Sequence, residues 1–158
     1  MNHPLKRHEA LKPLSKDHHH GLLLCWKIRE GKKKDIAPER IKAYTDFFFN
    51  SQLKPHFRFE ENEIFSLLGK DHPMVKKAET DHHRLKQLFT EEHNLEKSLS
   101  DIEKELEEHI RFEERVLFSE IQQEVSEEKL EDLKNKEEEI KTPDPDSWND
   151  KFWARERS

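Results

Sequence analysis

Two six-residue stretches hold the residues of this chain best placed to do chemistry. His56-Phe57-Arg58-Phe59-Glu60-Glu61 returns 53 residues later as His109-Ile110-Arg111-Phe112-Glu113-Glu114, and both run on to a Phe-Ser pair, Phe65-Ser66 and Phe118-Ser119. On an α-helix, residues four apart lie on one face, one turn apart. Each stretch therefore presents an imidazole and a carboxylate in the same direction. One such pair is usually a solvated i,i+4 contact. Two pairs in the same context, each inside an apolar stripe, point to metal ligation.

The stripes define the elements that must carry these groups. A first helix starts between Leu11 and Ser15 and runs to about Glu30, with Gly31 as its stop. Its apolar face reads Leu11, Leu14, His18, Leu22, Cys25, Ile28, which selects His18 from the run His18-His19-His20. Residues 31 to 37, with the basic run Lys32-Lys33-Lys34, read as a charged connection. Pro38 suits the first turn of a second helix reaching about Leu68, with the inner face Phe49, Leu53, His56, Glu60, Ile64, Leu67. Pro55 inside it should kink or loosen the turn before His56. A third helix, about Pro73 to Glu92, has the stripe Val75, Ala78, His82, Leu85, Phe89, leaving His83 to water. The fourth, about Leu95 to Ile121, reads Leu95, Leu99, Ile102, Leu106, His109, Glu113, Val116, Leu117, Ile121, and begins near Asn94 or at the box Ser100-x-x-Glu103. Asp17-His18-His19 and Asp81-His82-His83 form a second, weaker repeat.

Composition agrees with helices. Charged residues make up 41% and apolar residues 32%, and the ten phenylalanines fall in stripes that a disordered chain would lack. Three glycines and one tyrosine are too few for a sheet protein with its turns. The expected fold is all-α: an up-down-up-down four-helix bundle over residues 1–125, then a charged C-terminal helix, Glu127 to Lys141, and an aromatic tail within 126–158. Trp148, Phe152 and Trp153 in that tail suit docking on the bundle or, less readily, anchoring a partner. A net charge of −6 gives no electrostatic case for nucleic acid, and no apolar run approaches membrane-spanning length. The polar, His-rich first 20 residues do not read as a signal peptide, and a lone cysteine fits a cytoplasmic setting.

Each stripe is thus interrupted near its middle by donors: His18, His56 with Glu60, His82, and His109 with Glu113. A single stripe histidine is ordinarily a hydrogen-bonded core residue. All six together fail that reading on energy, because two buried carboxylates without cations cost several kcal/mol each. A pair of divalent cations removes the cost, with two imidazoles per metal and the carboxylates shared. Such ligation suits iron, manganese or zinc, and the absence of thiolates argues against soft metals. Without metal, Glu60 and Glu113 should take up protons to relieve their repulsion. Cys25 reads as packing.

The pattern resembles the hemerythrin-like (HHE cation-binding) family over roughly residues 11 to 123. The resemblance rests on Leu14-Ser15-Lys16-Asp17-His18, His56-Phe57-Arg58-Phe59-Glu60, His82 and His109-Ile110. It implies two non-haem irons held by His18, His56, Glu60, His82, His109 and Glu113, bridged by Glu60, Glu113 and an oxo or hydroxo group. It also implies binding or sensing of a small diatomic ligand (O2 or NO) or of iron itself. Two positions depart from the oxygen carriers of the family. A second third-helix histidine is replaced by Ala78, and the last carboxylate, Glu113, follows His109 at four residues and is not an aspartate at five. Both departures point toward the iron-sensing and bacterial members. Glu63, on the inner side one turn past Glu60, reads as a substitute ligand or a support to one; its repeat counterpart is Val116. Two other readings stand beside this one. A ferritin-like di-iron oxidase needs two Glu-x-x-His pairs, of which only Glu79 with His82 fits. A structural metal that holds an interaction module is the third reading.

Overall fold

Every stripe residue faces inward only if its helix keeps phase through the middle of the chain, and two of the long helices change phase to do so. A computed structural model describes residues 6–137 and 143–154. The described residues are all-α, with no strand among them. Helix α1 is Lys12–Lys33, with Pro13 in its first turn and Lys32 and Lys33 in its last, where they complement the helix dipole. Helix α2 occupies residues 38–68, α3 is Pro73–Thr90, α4 occupies residues 95–124, and α5 is Glu127–Glu137. His72 caps α3 by accepting from the Met74 N–H, and Asn94 caps α4 by accepting from the Lys97 N–H, so α4 starts at Leu95 and not at Ser100. Gly69, at φ 96°, closes α2 in a conformation open to glycine.

Three single π turns interrupt the helices: Phe49–Leu53 and Glu60–Ile64 in α2, and Glu113–Leu117 in α4. In each, the following N–H reaches five residues back, Lys54 to Phe49, Phe65 to Glu60 and Phe118 to Glu113. The first lies immediately before Pro55, which has no N–H to give, so the disturbance expected from proline takes the form of a π turn. The other two begin at the paired glutamates. They delay the inner face by one residue, and two expectations fail for that reason. Val116 is 39% exposed while Leu117 and Phe118 are fully buried, and Glu63 points outward to Lys136 Nζ at 2.8 Å while Ile64 and Phe65 are buried. Glu63 is therefore neither a ligand nor a support to one.

Gly31 is not a helix stop. It lies inside α1, buried, where a Cβ would come within 2.8 Å of Ile41 Cδ1 and 2.9 Å of Phe152 Cε2. Only a glycine lets α2 and the tail approach so closely, and Lys32 and Lys33 accordingly belong to the helix and not to a loop.

The core consists of two apolar clusters. One contains Cys25, Ile28, Tyr44, Phe48, Leu85, Leu106 and Phe152; the other Leu14, Phe65, Val75, Ala78, Leu117, Phe118 and Ile121. All four long helices cross from one cluster to the other, α1 and α3 in one direction along the chain, α2 and α4 in the opposite one. Helix α5 buries Leu130 and Leu133 in the second cluster. The C-terminal segment packs on the first: Phe152 is buried, Trp148 stacks on Phe47 with centroids 5.0 Å apart, and Trp153 lies over Lys27 Nζ at 4.1 Å. The expected helix end at Lys141 lies outside the described residues. No helix among them is long and apolar enough to cross a membrane.

The phase shift gives a direct test. Leu117→Ala should destabilise by about 2–5 kcal/mol through the cavity it leaves, whereas Val116→Lys should stay within about 0.5 kcal/mol of the parent. Urea denaturation of both variants decides whether the π turn sets the inner face; equal costs would place both residues on one flank of a regular helix.

Candidate metal centre

Where the four long helices pass from one apolar cluster to the other, each contributes polar side chains to a single layer. His18 comes from α1, His56 and Glu60 from α2, His82 from α3, His109 and Glu113 from α4, and all six are buried, Glu60 and Glu113 to zero exposure. All six residues expected to act as ligands therefore lie together. Their donor atoms form two groups, His18-His56-Glu60-Glu113 and Glu60-His82-His109-Glu113, within each of which the atoms lie within 4.8 Å of one another. The two glutamates belong to both.

The inner contacts are short. His18 Nε2 lies 3.0 Å from Glu113 Oε1, His109 Nε2 3.1 Å from the same oxygen, and His56 and His82 Nε2 each 3.2 Å from Glu60 Oε1. His18 and His56 turn the same nitrogen toward each other at 3.2 Å. Several of these atoms are nevertheless unsatisfied. Glu60 Oε1 and Oε2, His82 Nε2, His109 Nε2 and Glu113 Oε2 are buried and not aligned with any hydrogen-bond partner. Buried polar atoms in folded proteins are nearly always paired. Five unpaired ones facing one small volume, all of them nitrogen or oxygen donors, fit cations bonded at about 2 Å.

The outer nitrogens form a second pattern, whose partners lie off the apolar stripes. His56 Nδ1 is 3.0 Å from Asp17 Oδ2, His82 Nδ1 is 3.5 Å from Glu61 Oε1, His109 Nδ1 is 3.0 Å from Asp81 Oδ2, and His18 Nδ1 is 3.1 Å from Glu114 Oε2. The Glu61 contact is an ion-pair distance without hydrogen-bond alignment. Each carboxylate is the chain neighbour of an inner donor on its own helix, yet it serves the histidine of the next. Helix α1 supports α2, α2 supports α3, α3 supports α4, and α4 supports α1. Carboxylates behind metal-bound imidazoles fix the ring and its tautomer and raise its basicity. The sequence signal was present, in the Asp-His repeat and the doubled glutamates.

Phenylalanines fix the rings on their faces. Phe57 stacks on His82 with centroids 3.9 Å apart, and Phe118 stacks on His18 at 5.4 Å. The bystanders also fall where the stripes put them: His19 and His83 are exposed. Glu79 is exposed too, which removes the one Glu-x-x-His pair available to a ferritin-like arrangement. Ala78 is buried in the apolar cluster beside the layer and offers no donor. Burial pushes the Cys25 thiol up to about 12, leaving it inert.

Without metal, protonation favours the imidazoles over the Glu113 carboxyl, contrary to the expectation for that residue. Burial alone would raise the Glu113 carboxyl, but the His109 charge and hydrogen bonds from within the layer hold it well below the usual range. Burial alone would lower His109, but the Glu113 charge and the bond to Asp81 raise it to about 10. His18, His56 and His82 are raised for like reasons, against their own burial, by Glu113, Glu60 and the outer carboxylates.

No family model, curated protein or solved structure matches this chain.

These shifts set a pH dependence for the metal-free protein. The folded imidazoles sit above the ordinary histidine value of 6.5, so their charge stabilises fully below that value and is lost as pH rises through their folded values. Glu113 acts oppositely, stabilising above 4.5 and losing its contribution as pH falls toward its depressed value. Chelator-treated protein should therefore be most stable at about pH 5 to 6.5 and weaken steadily toward pH 10. A thermal midpoint that holds level from pH 6 to 10 would contradict this assignment. The outer carboxylates have their own signature: Asp81→Asn should weaken metal affinity about 10- to 100-fold, read by competition with a chelator.

Proposed function

We propose that this chain is a hemerythrin-like, non-haem di-iron protein of the cytoplasm that binds or senses a small diatomic ligand, O2 or NO, or iron itself. The observation that carries the reading is the set of six buried donors whose unpaired nitrogens and oxygens face one small volume between four helices. His18 and His56 would hold one ion, His82 and His109 the other, with Glu60 and Glu113 shared between them. The alternating direction in which α1 to α4 cross the layer supports an up-down-up-down four-helix bundle as the scaffold. Iron is preferred over zinc because mixed imidazole and carboxylate ligation with shared carboxylates suits a redox-active pair, although manganese has the same donor preferences. Such a pair, when bound, supplies electrons to a diatomic ligand.

The chain's own residues set the conditions for that chemistry. The two apolar clusters exclude water from both sides of the layer. The outer carboxylates keep Nδ1 protonated and Nε2 free to ligate. Ala78 leaves the His82 side without a further nitrogen donor, which favours sensing over reversible carriage.

Metal analysis of protein purified without a metal-affinity column tests the reading. About two iron atoms per chain are expected from the donor count. His18→Ala, His56→Ala, His82→Ala and His109→Ala should each lose at least one, and His19→Ala and His83→Ala none. Metal-free protein that refuses iron, manganese and zinc alike would remove the reading altogether.

A further inference from the structure

A centre closed on all sides must still be filled, and the two halves of this one differ in how they meet solvent. Three of the four outer carboxylates are tied down on their far side. Glu61 is paired with Lys86 at 3.1 Å, Asp81 with Lys77 at 3.0 Å, and Glu114 accepts from Ser15 Oγ at 2.9 Å. Asp17 has no partner among the described residues except His56, and it opens into a cavity of about 440 Å³ between α1, α2, the end of α5 and the segment from Pro143. His56 lies at the inner end of this cavity, with His20 and Glu137 on its walls. Among the described residues, both carboxyl oxygens of Glu137 are buried without a hydrogen-bond partner. On the opposite side, His109 and Asp81 meet a recess of about 70 Å³, lined also by Lys77, Arg84, Glu105 and Glu108.

Resting on the reading of the layer as a metal centre, we propose that this cavity is the docking and entry site for a hydrated divalent cation, held between Glu137 and Asp17 before it passes to His56. Size and charge both select this side. The cavity, at about 440 Å³, is several times the recess, at about 70 Å³, and so takes a cation with its water shell more readily. In the recess Asp81 and Glu105 are already engaged by Lys77 and Arg84, at 3.0 Å each, whereas no lysine or arginine engages Asp17 among the described residues. Burial, and after it the nearby Asp17 carboxylate, pushes the Glu137 carboxyl up to about 8, and a cation between the two carboxyls would offset the Asp17 repulsion. Oxygen ligands that leave several waters in place suit transient holding, and the imidazoles beyond suit final capture. A second group, His8 with Glu127 and Glu131, does not compete for this role. His8 Nδ1 accepts from the Ala10 N–H, so its Nε2 carries the proton and already donates to Glu127.

The test is the rate of loading, with cobalt(II) as the probe, mixed anaerobically with metal-free full-length protein and followed by its visible bands. Glu137→Lys and Glu137→Gln should slow loading, by about tenfold and a few-fold respectively, and Lys16→Glu at the same cavity should speed it, all less so at high salt. The final cobalt content and the thermal midpoint of the loaded protein should match the parent, which also shows that the variants fold. Glu128→Lys on the exposed face of α5 and Arg84→Glu beside the recess should leave the rate unchanged. Loading of both Glu137 variants at the parental rate, or faster loading through Arg84→Glu, would overturn the entry site while leaving the centre intact. Failure of the parent to bind cobalt at all would overturn the reading on which it rests.

Discussion

The interaction on which the structure depends is the burial of two carboxylates, Glu60 and Glu113, in a layer with four imidazoles between two apolar clusters. An unpaired carboxylate in such a place costs several kcal/mol even after relaxation. The layer therefore needs positive charge, either from cations or from protons on the imidazoles, and the raised values of His18, His56, His82 and His109 show where the protons go when no cation is there. The four outer carboxylates extend this balance outward. Because each reaches from one helix to the histidine of the next, they also set the helices in one mutual register, which packing of Leu and Phe side chains alone would specify less sharply.

The π turns at Glu60 and Glu113 solve a problem of phase. A regular helix carrying His56 and Glu60 inward would next bring Glu63 and Ile64 toward the core, and its partner would bring Val116 and Leu117. The extra residue in each π turn moves Glu63 and Val116 out and carries Phe65 and Phe118 in. Those two rings then sit against His82 and His18, on the apolar side of the layer. The same device thus keeps a third acidic group out of the interior and supplies a face for each ring to lie on.

Much of the site was legible in the sequence because helical stripes report which residues face inward, and His18, His56, Glu60, His82, His109 and Glu113 all lie on stripes. What escaped lay off the stripes or beyond their assumptions. Asp17, Glu61, Asp81 and Glu114 are flank residues, one step from the inward direction, and a periodicity argument assigns such positions to water. Glu63 and Val116 were misplaced because a fixed period cannot see a π turn. Gly31 looked like a stop because its use is a contact with Phe152, a residue 121 positions away, and no local pattern encodes that. The helices themselves came through well since their caps, Pro38, His72-Pro73 and Asn94, are local chemistry.

The inner layer has near two-fold internal symmetry: His18 and His56 with Glu60 correspond to His82 and His109 with Glu113, and Asp17 corresponds to Asp81. Symmetry of this kind would make the two halves equivalent, and the surroundings break it. Asp81 is neutralised by Lys77, which also lies over the Phe112 ring at 4.6 Å. Asp17 has no such lysine, and α5 and the C-terminal segment close over its side without filling it. The added C-terminal elements thus shape access to the layer from the His56 side. Lys27 helps anchor them, since it is buried under Trp153 with its ammonium donating to Tyr44 Oη at 2.8 Å. A cation that desolvated is retained only where its partners replace the lost water, so the same contact that hides the lysine holds the tail, and with it one wall of the cavity, in place.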